Sequence, residues 1–235
     1  MKNTFALITL LSLFSFNLLA KVENESELSL LKSGGNTEFA TYNLKTNFKL
    51  IYSGFDIEAG GHYTYGTSGN LIISRNWDFA LKETKKFSSS KFALYLGQQI
   101  EGDNFAGIDS RFNVDLGLKY QFLKDEKNNI KSEVGFRSTN EKQVGGTNET
   151  FSKARVYLEG ERKHSKEISF KIWMEYLPNF TKSEDWIYTT EPSLNVSLSN
   201  TFSFKFGYKY IYQNLPPAGK GKIDYLTSTT LIAKF

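Results

Sequence analysis

The chain contains no cysteine. That excludes disulfides, a thiol nucleophile, a Cys-ligated metal and lipoprotein processing. Histidine is nearly as scarce, with only His62 and His164. A Ser–His hydrolase would have to draw on one of these two. His164 falls in a polar turn-like stretch. His62 stands between Gly60 and Thr64, where a hydrogen-bonding role suits it better than that of a general base. No Gly-x-Ser-x-Gly, His-rich metal set or phosphate-cradling loop occurs. Glu159 and Glu161 share one strand face, a spacing common in any charged strand. The expectation is a non-enzymatic protein with no cofactor and no metal. Proline is rare too, four in all, two of them adjacent at Pro216 and Pro217. The net charge of +4 is spread over both signs, with no basic patch for nucleic acid.

Long apolar runs are missing beyond the N-terminus. Phe5 to Leu19 is apolar apart from Thr9, Ser12, Ser15 and Asn17. It follows the positive charge of Lys2 and ends at Ala20 before a polar stretch. This is the pattern of a cleaved secretory signal over residues 1–20. It is shorter than the roughly 20 apolar residues of a spanning helix. Residues 21–235 then form one domain.

What the chain has in abundance is alternation with period two. Phe202, Phe204, Phe206, Tyr208, Tyr210 and Tyr212 oppose Ser203, Lys205, Gly207 and Lys209. Phe112, Val114, Leu116, Leu118 and Tyr120 oppose Arg111, Asn113, Asp115, Gly117 and Lys119. Tyr42, Leu44, Phe48 and Leu50 oppose Asn43, Lys45, Asn47 and Lys49, and Ile168 to Tyr176 repeats the pattern. Neighbouring side chains of a strand point to opposite faces, so each run is a strand with one apolar and one polar face. About twelve strands are expected, with ten or fourteen still compatible. The approximate spans are 26–32, 39–52, 55–65, 70–84, 91–102, 108–123, 130–140, 149–163, 167–181, 186–199, 201–213 and 223–235. Pro192 is expected to mark a bulge.

The connections alternate in length. Ser53-Gly54, Ser88 to Ser90, Lys124 to Asn129, His164 to Lys166 and Asn200 form the shorter set. Ser33 to Glu38, Gly66 to Gly69, Asp103 to Gly107, Glu141 to Asn148, Lys182 to Asp185 and Leu215 to Lys222 form the longer one. Outer-membrane barrels have short periplasmic turns and longer outer loops, which places both termini in the periplasm. Aromatics gather at both strand ends: Tyr63, Tyr65, Tyr176, Trp186, Tyr188, Tyr210, Tyr212 and Tyr225 at one, Tyr52, Tyr120, Phe122 and Phe235 at the other. Such girdles mark the two membrane interfaces.

Periodicity alone does not say which face is outside. A soluble calyx and a β-sandwich would both turn an apolar face inward. Strand length, the aromatic girdles and the terminal Phe235 favour an all-β, single-chain transmembrane antiparallel barrel. Closure leaves no unpaired edge in lipid. The final strand, Tyr225 to Phe235, alternates and ends on an aromatic. It resembles the C-terminal signature that barrel assembly machinery reads in outer-membrane proteins, so Phe235 is the expected assembly signal.

Three segments carry a family resemblance: Ser33-Gly34-Gly35-Asn36-Thr37; Asp103-Asn104-Phe105-Ala106-Gly107-Ile108 leading to Arg111 and Gly117-Leu118-Lys119-Tyr120; and Asn214-Leu215-Pro216-Pro217 with Asp224 and the last strand. In order and spacing they resemble the outer-membrane barrels of domain-of-unknown-function family 481, also called salt-induced outer membrane proteins. The resemblance spans essentially the whole chain after the signal and implies no catalytic residues.

The polar faces carry both signs. Lumen-lining candidates are Lys45, Lys49, Arg111, Asp115, Lys119, Glu133, Arg137, Glu175, Lys205 and Lys209; further inward residues are Arg155, Lys171, Asp56, Glu58, Asp78, Asp109 and Glu159. Two functions fit. One is a channel for small solutes through a mixed-charge lumen. The other is a structural or envelope-stress barrel, plugged by ion pairs and interacting through its outer loops. A secreted soluble ligand-binding barrel is a more distant third. Eight strands leave an interior filled by side chains and 16–18 an aqueous channel, so twelve decide neither way.

Overall fold

A computed structural model describes residues 21–33, 39–88, 90–216 and 221–235. The expected signal over residues 1–20 lies outside these, as do residues 34–38 and Pro217. Twelve strands form one closed antiparallel barrel in which each pairs with its sequence neighbours and β1 closes on β12. They are β1 Lys21–Ser33, β2 Phe39–Tyr52, β3 Phe55–Ser68, β4 Leu71–Lys86, β5 Phe92–Asp103 and β6 Ile108–Lys124. The second half is β7 Asn128–Gln143, β8 Asn148–Lys163, β9 Ile168–Leu177, β10 Ile187–Ser197, β11 Phe202–Gln213 and β12 Ile223–Lys234.

The apolar face is the outer one. Leu44, Phe48, Phe79, Leu116, Val134, Phe136, Phe170 and Phe206 are all exposed on the barrel wall. Exposed apolar surface on this scale suits lipid and not water. The calyx and sandwich alternatives need it buried, so the structure overturns both. The girdles also appear. At the loop end Trp186 stacks on Tyr212 at 5.0 Å and meets Tyr176 edge-on at 5.8 Å. At the opposite end Tyr120 packs between Phe92 and Phe122, at 4.7 and 4.8 Å.

Local differences from the sequence reading have physical causes. β1 begins at Lys21 and not at residue 26. Its outward positions Asn24 and Ser26 are polar, so the start lacks an apolar stripe. β9 stops at Leu177 and not at 181. Pro178 follows it, and the Asn179 side chain accepts the Thr181 and Lys182 amides in a turn. The connection at Gly66 to Gly69 is tighter than expected: β3 runs on to Ser68, and Gly69 turns with φ of 56°. Pro192 makes no bulge. The ladder to β11 skips Glu191 and Pro192 but resumes in the same register. Losing one amide donor removes a rung without adding a residue. The bulges lie elsewhere, at Gly66/Thr67, Glu101/Asp103, Ile108/Ser110 and Gln121/Leu123. Asp109, expected inward, is the extra residue of one of them and pairs with exposed Lys142 at 2.6 Å.

The shorter turns are locally determined. In the β6–β7 turn the Asp125 carboxylate accepts the backbone amides of Asn128 and Lys127. These hydrogen bonds, with that of Asn128 foremost, hold its carboxyl below the usual range. The seam between β1 and β12 is the shortest. It has four registered pairs, Glu25↔Lys234 to Leu28↔Leu231, against eight or more at every other junction. Asn24 and Phe235 extend it by exchanging both backbone hydrogen bonds, each 2.9 Å.

Candidate functional site in the lumen

The inward positions of β4 to β9 carry long charged side chains, and they are joined. Glu133, 2% exposed, accepts from Lys82 and, at 2.7 Å, from Arg155. Arg155 also donates to Glu175 at 2.6 Å. Arg137 grips Asp115 with two bonds of 2.7 Å and lies 4.0 Å from Glu175. Arg111 joins Glu101 at 3.0 Å to Glu141 at 2.7 Å. Lys131 and Lys171 bracket Glu159 at 3.0 and 3.4 Å. Bidentate and charge-assisted bonds of this kind fix side chains in place.

One aromatic lies within this wall. Tyr95 is 1% exposed and spreads over two glycines that face each other on β6 and β7, Gly117 and Gly135. Lys82 Nζ stands 4.7 Å from its ring centroid and Arg155 Cζ 5.8 Å. The missing side chains let the ring lie against the backbone, and the two cations meet its face.

A second, smaller cluster lies across the seam. Glu27 accepts from Lys45 at 2.8 Å and from Lys205 at 2.5 Å, and Lys205 reaches Glu191 at 3.6 Å. Lys49 pairs with Glu58 at 2.7 Å, and Lys86 with Asp56 at 2.6 Å. His62 bridges Asp78 at 3.1 Å and Thr64 at 2.9 Å. Beside this cluster β10 to β12 and β1 to β3 also present small residues inward, among them Ser193, Asn195, Ser203, Ser228, Asn43 and Gly60.

Of the ten sequence candidates, eight are thus tied into ion pairs. Lys119 and Lys209 have no ion-pair or hydrogen-bond partner among the described residues. Sequence reasoning missed Glu27, Lys82, Glu101 and Tyr95, which hold the clusters together. Strand parity contained the signal for the three charged ones. Nothing in a single sequence pairs Tyr95 with glycines one and two strands away.

A cavity of about 2360 Å³ runs through the barrel, from Lys127 and Ser165 at the turn end to Val144 and Leu215 at the loop end. The β9–β10 loop leans into the loop-end mouth, where Asp185 lies 3.7 Å from Lys153 and accepts from Asn179 at 3.0 Å. Among the described residues no group of His, Asp and Glu could hold a metal ion.

The family model "Protein of unknown function, DUF481" matches residues 26–235. A comparison with curated protein sequences finds no match. Solved structures share the fold at low identity. The NanC porin is 9% identical with a TM-score of 0.54, covering 91% of this chain and 98% of its own. An outer-membrane channel from Pseudomonas putida F1 is 11% identical with a TM-score of 0.55, covering 92% and 95%.

Proposed function

This chain belongs to the DUF481 family, and from its barrel we propose that it is an outer-membrane channel for small hydrophilic solutes. The observation that carries this reading is the continuous cavity between the two ends of the barrel. The arrangement of side chains supports it. Ion pairing draws the long side chains of β4 to β9 against their own wall and against each other. On the opposite wall Glu27, Lys45 and Lys205 are likewise paired, with short polar residues such as Ser193, Asn195 and Ser228 beside them. The lumen carries both signs, and Lys209 lines it without an ion-pair partner among the described residues.

The same reading puts the barrel in the outer membrane after removal of residues 1–20, with the longer loops outside and both termini in the periplasm. Phe235 then serves as the assembly signal. The likeness to the NanC porin and to the Pseudomonas putida channel, one of fold, is consistent with this placement.

Planar-bilayer recording on refolded protein tests the channel. A steady conductance is expected, with a weak ion preference that fades as salt screens the mixed-charge lumen. A silent wild type would sink the channel and favour the plugged structural barrel. The β9–β10 loop, already leaning into the mouth, would then be its stopper.

A further inference from the structure

In a lumen of this polarity the unusual feature is inward-facing apolar surface. Tyr157 on β8 and Trp173 on β9 both point into the cavity and stack, with centroids 6.1 Å apart and planes at 26°. Along the same cross-strand row, Trp173 is followed by Glu191, Lys209 and Leu226 on β10, β11 and β12. Leu226 faces the cavity and is 45% exposed, so its apolar surface is bare.

The charges around this patch are spoken for, with one exception on the row. The Tyr157 hydroxyl donates to Glu159 at 2.6 Å, and Glu159 is neutralised by Lys131 and Lys171. Glu191 leans over Gly207 toward Lys205. Glu175 belongs to Arg155. Asp224, exposed near the loop-end mouth, sits diagonally from Lys209 across the β11–β12 ladder without an ion pair to it. Lys209 is left as a cation with no partner, lining the cavity. It lies two strands from Trp173, about 10 Å between backbones. The indole N–H of Trp173 also lacks a hydrogen-bond partner among the described residues.

We propose that Trp173, Tyr157 and Lys209 form a solute-binding subsite for a carboxylate carried on a ring with an apolar face. The indole takes the ring, as aromatic faces take aromatic rings in offset stacks and as they take the CH face of a sugar. The lysine takes the carboxylate. The span between them fits one small ring and its substituent, with Leu226 flanking. Ring and charge are both needed, because the ring face alone or the ammonium alone makes one weak contact with a freely hydrated solute. This subsite deepens the channel reading and rests on it for its purpose, but not for its existence.

Binding is therefore measured without conduction. Saturation transfer from the refolded barrel to ligand protons is followed by NMR for benzoate, glucuronate, acetate and glucose. Benzoate or glucuronate is expected to bind at least five-fold tighter than acetate and than glucose; the tighter of the two tells an aromatic from a sugar ring. Lys209→Gln should weaken the ring carboxylates at least five-fold and leave glucose unchanged. Trp173→Ala should weaken them as much, while Trp173→Phe, which keeps a ring face, restores most of the loss and shows that the barrel is intact. Acetate binding as tightly as both ring acids overturns the subsite, as does a change under two-fold in both Lys209→Gln and Trp173→Ala. A barrel that binds but does not conduct retires the channel and keeps the subsite. One that conducts without binding does the reverse.

Discussion

Tyr95 reaches across an intervening strand to Gly135, where its hydroxyl lies 2.6 Å from the place a β-carbon would occupy. Gly117 lies between, and a methyl there would stand 2.4 Å from the Val134 carbonyl oxygen and 2.8 Å from the Tyr95 ring. Neither neighbour can yield easily, since one is backbone and the other is hemmed in by Lys82 and Arg155. Gly117→Ala and Gly135→Ala should each cost about 1–3 kcal/mol by overpacking, read as a lower urea midpoint for unfolding in lipid. Gly160, with open space at its β-carbon position, should accept alanine with little change.

Glu133 and Lys209 make a contrasting pair. Glu133→Gln removes the charge shared by Lys82 and Arg155 in a buried place, at an expected cost of about 3–5 kcal/mol. Lys209→Gln breaks no ion pair and should stay within about 0.5 kcal/mol of wild type. The same unfolding titration measures both. Equal effects would mean that the wall of ion pairs does not hold the barrel's shape.

Leu116 points outward, 53% exposed, and its neighbour Asp115 points inward to Arg137. Leu116→Arg should destabilise by about 2–4 kcal/mol in lipid if the site is near the midplane, and far less in detergent micelles that can deform around the charge. A harmless Leu116→Arg in lipid would reverse the assignment of the faces.

Charge reversal should separate Lys205 from Lys209 in planar bilayers. Lys209→Glu should move the reversal potential toward cations while the barrel stays stable. Lys205→Glu sets a third carboxylate beside Glu27 and Glu191 and should first appear as loss of folded protein. A stable Lys205→Glu barrel would show that these acids are solvated enough to do without their lysine.

Deleting Phe235 removes both seam hydrogen bonds to Asn24 and the terminal aromatic. Outer-membrane yield in cells should fall, while refolding in detergent persists because β12 keeps its whole ladder to β11. Normal yield from the deletion would mean that the aromatic end is not read during assembly.

Much of the barrel is legible in the sequence because a strand in lipid has to alternate, and the twelve spans follow from that rule. The exceptions are places where another force sets the boundary. β1 shows no stripe at its start because Asn24 and Ser26 occupy outward positions near the turn end. β9 ends early because Pro178 and Asn179 start a turn. The inward direction of Lys45, Arg111 and Glu133 was readable from parity, but their partners depend on strand tilt and on rotamers. Lys82 and Glu133 meet from β4 and β7, 51 positions apart in the chain, and no periodicity encodes that. The unpaired state of Lys209 is equally invisible, since it depends on Glu191 turning toward Lys205 instead.

The short lacing between β1 and β12 has a consequence for the order of events in the life of the chain. The two strands that must meet are the first and last of the barrel to be synthesised, and the hydrogen bonds that extend their seam belong to Asn24 and Phe235. Every truncated product is therefore an open sheet with two raw edges, which lipid does not tolerate. Closure has to wait until β12 has been made, so the barrel cannot mature piecemeal from β1. β12 thus acts as a completeness check: a barrel that lacks it cannot shut.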